Sequence, residues 1–132
     1  MNKLKIAVDM ARGCWYNAEA KEAYKRFSLN LLRSIARNLK LPRGSYRVSF
    51  NPGGIAVAGD PILHHDSFYL TFCSSGVMYR KCDGLKDYGG KWGHEWRNQW
   101  AVGYGNAMTQ AELEVALREI VAPGAWNKSI SR

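Results

Sequence analysis

Residues 17–40 read NAEAKEAYKRFSLNLLRSIARNLK, and how this stretch is read decides the fold. From Ala18 to about Lys40 there is no Gly or Pro, and apolar residues fall at Ala20, Tyr24, Phe27, Leu31, Ile35 and Leu39. Steps of three and four residues place these on one stripe of a helix. Asn17 is a natural N-cap, and Glu19 and Glu22 complement the positive end of the helix dipole. Pro42 and Gly44 close the pattern. The spacing predicts one long amphipathic helix over about 18–40.

Working outward, Leu4, Ile6, Val8 and Met10 alternate with Lys3, Lys5, Ala7 and Asp9 before Arg12-Gly13 breaks the run. That is strand-like spacing, with a helical turn as the alternative. Downstream, Tyr46, Val48 and Phe50 alternate with Arg47 and Ser49, and Asn51-Pro52-Gly53-Gly54 is a turn signal. Ile55 to Ala58 would return as the second arm of a hairpin. Gly59 to Ser67, holding Pro61 and His64-His65-Asp66, reads as a loop. Phe68 to Cys73 and Val77 to Cys82 read as a second hairpin around Ser74-Ser75-Gly76. The hairpins thus occupy about 45–82, and a Gly- and aromatic-rich segment without clean period follows at 83–106. Thr109-Gln110-Ala111-Glu112 is a capping box opening a helix at about 110–121, through Leu113, Leu117 and Ile120, before Pro123-Gly124.

These elements make residues 1–132 a single α+β domain. A small antiparallel four-stranded β-sheet would pack against one long N-terminal amphipathic helix, with a short C-terminal helix on the same face or at one end. The 132-residue length suits one domain, and 46% hydrophobic with 23% charged residues is ordinary for a folded chain. Apolar runs of only a few residues predict no membrane span. Asp9 and Arg12 interrupt any signal-peptide core. Three cysteines at irregular spacing (Cys14, Cys73, Cys82) argue against a secreted disulfide framework, so a cytoplasmic location is expected.

The net charge of +8 is localised. Residues 1–50 carry eleven Lys or Arg against Asp9, Glu19 and Glu22, which accounts for the whole excess, while residues 51–132 carry eight of each sign. On a helical wheel Arg26, Arg33, Arg37 and Lys40 lie opposite the apolar stripe with Asn30 between them, in a line roughly 20 Å long at about 1.5 Å per residue. Arg43 and Arg47 would extend the line past the helix end. The bland reading is that an amphipathic helix must show water something polar, and Lys and Arg are good helix formers. Against it, no acidic residue stands between Lys25 and Asp60, and three of the four stripe residues are Arg, whose planar fork suits phosphate or carboxylate. An anionic partner, either nucleic acid or a host nucleoprotein complex, is the expectation, with no membrane involved.

Trp92, Trp96 and Trp100 recur every four residues, with Tyr88 four before and Tyr104 four after. One or two helical turns around Glu95 to Ala101 would align them. They then serve either as aromatic anchors for a partner, through Tyr88, Trp92, Trp96 and Trp100, or as residues closing a small core.

The reactive side chains are sparse. His64-His65-Asp66, His94-Glu95, Cys73 and Cys82 lack the spacing of zinc knuckles or His-Glu-x-x-His. A zinc site from Cys73, Cys82 and His94 is a weak candidate, and a metal-dependent hydrolase using His64, His65, Asp66, His94 and Glu95 weaker still. Cys14 beside Arg12 reads as a buried small residue or a lowered-pKa thiol. The glycines form no phosphate-binding loop. The sequence predicts no catalytic residues and no cofactor.

Tyr79-Arg80-Lys81-Cys82, then Gly84, Asp87-Tyr88-Gly89-Gly90 and Trp92, resembles a pattern in small uncharacterised phage and plasmid accessory proteins, over roughly Ser45 to Trp100. In those, a helix precedes a short sheet and a Tyr-Arg-x-Cys segment leads into Asp-Tyr-x-Gly-Gly. The resemblance implies a mobile-element setting, where non-enzymatic inhibitors of host defence, including anti-CRISPR-like proteins, are frequent. It brings no catalytic residues. The expected function is therefore a non-enzymatic accessory protein that docks on a nucleic-acid-containing complex. A general DNA- or RNA-binding protein and the metal-dependent hydrolase are the alternatives.

Overall fold

A computed structural model describes residues 2–14, 16–52, 58–65, 67–74, 76–88, 91–103 and 109–121, with the backbone alone for 80–88 and 91–103. Its elements are α1 (Lys3–Gly13), α2 (Ala18–Asn38), β1 (Tyr46–Asn51), β2 (Asp60–His65), β3 (Phe68–Cys73), β4 (Gly76–Tyr88), β5 (Lys91–Gly103) and α3 (Gln110–Ile120).

The alternating N-terminal segment is a helix, so two helices, not one, begin the fold. Leu4, Ala7, Val8 and Ala11 are its buried residues, a spacing of three, one and three. The alternation of Leu4, Ile6, Val8 and Met10 is equally real, but Ala7 and Ala11 are small enough to seat α1 closely against its neighbours. The Asn2 side chain accepts a hydrogen bond from the Lys5 N–H at 3.3 Å and caps the first turn.

α2 follows the sequence reading closely. Asn17 Oδ1 accepts from the Ala20 N–H at 3.0 Å, and Tyr24, Ser28, Leu31, Leu32, Ile35 and Ala36 are buried. The helix ends at the Leu39 cap, where the Leu41 N–H donates to Ala36 O (3.1 Å) and the Lys40 N–H to Arg37 O (2.9 Å). This pair of bonds is a Schellman motif, and it needs a left-handed residue at its turn. Lys40 takes that role with φ 57°, where glycine is usual. Leu41 packs back onto the core.

The sheet is antiparallel throughout, in the order β1-β2-β3-β4-β5. The α+β class and the β3–β4 hairpin follow the sequence. Three features differ. Gly59 to Ser67 is no loop: Asp60–His65 is β2, paired on one side with β1 and on the other with β3. Pro61 is tolerated because it lies at the strand start, and its carbonyl accepts from Thr71 Oγ1 at 2.8 Å. Of the expected arm Ile55 to Ala58, residues 55–57 lie outside the described residues. Lastly, the glycine- and aromatic-rich segment supplies the extended part of β4 and a fifth strand, β5, rather than helical turns. Gly59 is required where the chain enters β2. Its φ is +95°, and a Cβ there would meet Phe50 Cζ at 2.6 Å and Asn51 O at 2.9 Å.

All three helices join one core with one face of the sheet. Leu4 and Val8 of α1, Leu32 and Ile35 of α2, Leu63, Leu70 and Phe72 of the sheet, and Leu113 and Leu117 of α3 form a single buried cluster. Each fully buried aliphatic side chain contributes about 1.5–3 kcal/mol. α3 opens with the capping box read from the sequence: Thr109 Oγ1 accepts from the Glu112 N–H (3.1 Å) and Glu112 Oε1 from the Thr109 N–H (2.8 Å). Its buried Glu114 accepts from Asn38 Nδ2 of α2 (2.7 Å) and from Gln110 Nε2 (2.9 Å), which fixes α3 against α2. Among the described residues, no helix is long and apolar enough to cross a membrane.

Candidate nucleic-acid interface

The buried face of α2 dictates what its other face shows. Arg26, Arg33 and Arg37 are all exposed, opposite Tyr24, Leu31, Leu32 and Ile35. Lys40, in its left-handed position, and Arg43, in the following turn, are exposed as well. Arg33 Nη1 donates to Asn30 Oδ1 at 3.4 Å, which orders one guanidinium along the stripe. Among the described residues, no carboxylate lies within ion-pair distance of Arg26, Arg33, Arg37, Lys40 or Arg43. Several other cations are engaged. Lys5 pairs with Asp9 at 2.9 Å, Arg12 reaches Asp9 at 3.7 Å, and Arg118 lies 4.0 Å from Glu114. Lys25, at the flank of α2, sits 5.7 Å from the Phe50 ring centroid. Arg26, Arg33, Arg37, Lys40 and Arg43 are therefore exposed cations with little local neutralisation among the described residues.

Arg47 does not continue that line. It occupies β1 between Tyr46 and Val48, which pack on the helix side of the sheet, so it belongs to the opposite face. There it is paired in register with His64, and its charge helps hold that imidazole neutral.

The aromatic residues are likewise rearranged. Tyr88 ends β4 opposite Lys91, while Trp92, Trp96 and Trp100 stand on β5 opposite Asp87, Cys82 and Arg80. On a strand the eight residues from Trp92 to Trp100 span roughly 27 Å, against about 12 Å on a helix. Trp100 falls within the five-stranded region. Trp92 and Trp96 lie where β4 and β5 run on beyond Phe68, the start of β3, which pairs with Lys81. The β4–β5 register is irregular between Arg80 and Leu85.

The reactive side chains do not converge. His64 and His65 are consecutive on β2 and face opposite sides of the sheet. Both are buried, and desolvation lowers each pKa to about 4, with the Arg47 charge adding to the shift at His64. His65 Nδ1 accepts from the Ser67 N–H at 3.0 Å, and its ring stacks on Phe68. Asp66 lies outside the described residues. Cys73 pairs with Gly76 at one end of the β3–β4 hairpin, six residues along β4 from Cys82, or roughly 20 Å. His94 is opposite Leu85, beyond Cys82, so Cys73 is remote from the other two candidate ligands. His94 and Glu95 are similarly distant from His64, whose row meets β4 at Arg80, five residues and roughly 17 Å along the strand from Leu85. Among the described residues no three His, Cys, Asp or Glu side chains gather as a metal site. The Cys14 thiol is buried, which raises its pKa, opposite to what a reactive cysteine needs.

What the sequence reading missed is the pairing of Arg47 with His64 and of His64 with Tyr69. Its signal was the period of two in β1 and β3, but the pairing depends on a strand that reads as a loop. No protein-family model, curated protein or solved structure matches this chain.

Proposed function

We propose that this chain is a non-enzymatic accessory protein of a mobile element that docks on a nucleic-acid-containing complex, with the α2 arginine face as its phosphate-binding surface. The single observation that carries the reading is the contrast in pairing. Lys5 and Arg12 of α1 and Arg118 of α3 have carboxylate partners, whereas Arg26, Arg33, Arg37, Lys40 and Arg43 have none among the described residues. Lys40 strengthens the reading. A lysine in a left-handed cap costs about 1 kcal/mol relative to glycine, and its charge extends the arginine line at the helix end. The mobile-element setting, and inhibition of a host-defence effector as the outcome of docking, come from the resemblance of Tyr79 to Trp92 to phage and plasmid proteins.

The test is a salt titration of binding to duplex and to the host's own nucleoprotein fraction, with and without nuclease. A phosphate-centred interface loses affinity steeply between roughly 50 and 200 mM salt. Binding that is salt-insensitive and survives reversal of Arg33 and Arg37 to Glu would remove α2 as the docking surface. Retention of the partner after nuclease treatment would place protein rather than naked nucleic acid beneath the arginines.

A further inference from the structure

The sheet has a second face. Val48, Leu63, Leu70, Phe72 and Tyr79 point to the helices, so by strand alternation their neighbours make up the side turned away from them. The register then assembles one row across all five strands. Arg47 pairs with His64, His64 with Tyr69, Tyr69 with Arg80, and Arg80 with Trp100. At about 4.8 Å per strand the row is roughly 19 Å long.

We propose that this face, on which none of the described helices packs, binds single-stranded nucleic acid, with the row Arg47, His64, Tyr69, Arg80 and Trp100 as its platform. The composition of the row argues for that occupant. Two arginine positions, one at the end of the row and one between Tyr69 and Trp100, stand beside aromatic ones, which is what unpaired bases and their phosphates require: flat faces to stack on and cations near them. In the described part the partly exposed ring is Tyr69, since His64 is only 5% exposed and serves as its support. The His64 and Tyr69 rings meet edge-to-face at 5.3 Å and 82°, which props the half-buried Tyr69 ring on a buried imidazole. Arg47 is exposed at the end of the row. The next row continues the surface with half-buried Ile62 and Met78 on either side of Thr71.

Charge is also in order. The acidic residue of this face on β2 is Asp60, four positions from His64 and so about 13 Å away. A five-stranded row roughly 19 Å across is wider than the major groove of about 12 Å, which favours unpaired strands over double helix. The competing explanation is that Arg47, His64 and Tyr69 are only a cross-strand ladder stabilising the sheet. The site is on the side of the sheet away from the α2 arginines and does not depend on their role.

The test uses fluorescence anisotropy of the full chain with a short labelled oligouridylate and, separately, a duplex of similar length. Oligouridylate should bind in preference to duplex. Tyr69→Ala should weaken it about tenfold or more, since stacking on an aromatic is lost. Tyr69→Phe, which keeps the ring, should stay near wild type, and Arg47→Glu should weaken binding and reduce its salt dependence. The pair Arg33→Glu and Arg37→Glu should leave oligouridylate affinity within about threefold, because those charges lie across the sheet and are screened. Absence of oligouridylate binding at low salt, or loss only on reversal of the α2 charges, overturns the platform. Photocrosslinking of bromouridine oligonucleotide to the wild-type chain needs no variant to fold. Crosslinks in peptides holding Tyr69 or Trp100 support the site, and crosslinks confined to α2 overturn it. Failure of duplex binding alone would count against the α2 reading and leave this one standing.

Discussion

α1 and α2 pack on the same apolar cluster, yet they treat their surface cations in opposite ways. On α1, Asp9 sits four residues from Lys5 and three from Arg12 and pairs with both, and Arg12 also donates through Nε to Ser74 O at 2.8 Å. On α2 the acidic residues, Glu19 and Glu22, are confined to the first turns with Lys21 between them, and every charged residue from Lys25 onward is a cation. The first arrangement ties a helix to the rest of the fold, because charge is used locally. The second leaves an extended field pointed at solvent. Two helices that bury apolar faces in one core therefore differ in how their surface charge is used.

That comparison can be broken at its structural end first. Leu4 of α1 and Leu32 of α2 are both fully buried, so Leu4→Ala and Leu32→Ala should each cost about 2–5 kcal/mol in urea unfolding. A loss below about 1 kcal/mol for Leu4 would make α1 an appendage and remove the premise that both helices close the core.

Acid should act next. α2 packs mainly over β1 and β2, and β2 carries both buried histidines. Their folded pKa values of about 4 lie below the ordinary 6.5, so the unfolded chain takes up protons first as pH falls. Stability is complete above about pH 6.5 and declines towards pH 4, by up to about 3 kcal/mol per histidine. Below pH 4 the histidines add no further loss. Chemical denaturation across this range measures the slope, and His65→Gln should flatten it.

The functional end of the comparison is tested by charge reversal. Arg33→Glu with Arg37→Glu should weaken binding to a nucleic-acid-containing partner on the order of 100-fold and lower the salt slope by about 2. Lys3→Glu with Lys5→Glu on α1 should change affinity by about threefold at most. Equal losses from the two pairs would show that net charge, not the α2 line, does the binding. The smallest effect is at the helix end. Lys40→Gly should stabilise the fold by about 0.5–1 kcal/mol in thermal unfolding while binding weakens, because the left-handed cap is relieved and one cation is lost.

The elements differ in how far they could be read from the sequence. α2 and α3 were legible because local chemistry agrees with periodicity at both: Asn17 caps one, the Thr109–Glu112 box opens the other, and each apolar stripe has helical spacing. α1 was ambiguous, since Leu4 and Val8 fit a period of two as well as a helical one, and its alanines gain meaning only when a neighbour packs on them. β2 was hidden by Pro61 and by polar His64 and His65, residues that look like loop until a strand on each side satisfies and buries them. β5 was misread because four-residue spacing satisfies a strand as well as a helix.

The sequence by itself determined the α2 arginine line, because a helix of known phase fixes which side chains share a face. It could place Arg26, Arg33 and Arg37 together without knowing what lay underneath, whereas Lys40 lies past the helix in a left-handed turn. Only the tertiary structure decided that Arg47 leaves that line, that Cys73 and Cys82 stand apart, and that Arg47, His64, Tyr69, Arg80 and Trp100 fall in one row. Helical neighbours are set by bonds within one segment, whereas strand neighbours are set by register between segments. A shift of one residue turns every side chain to the other face.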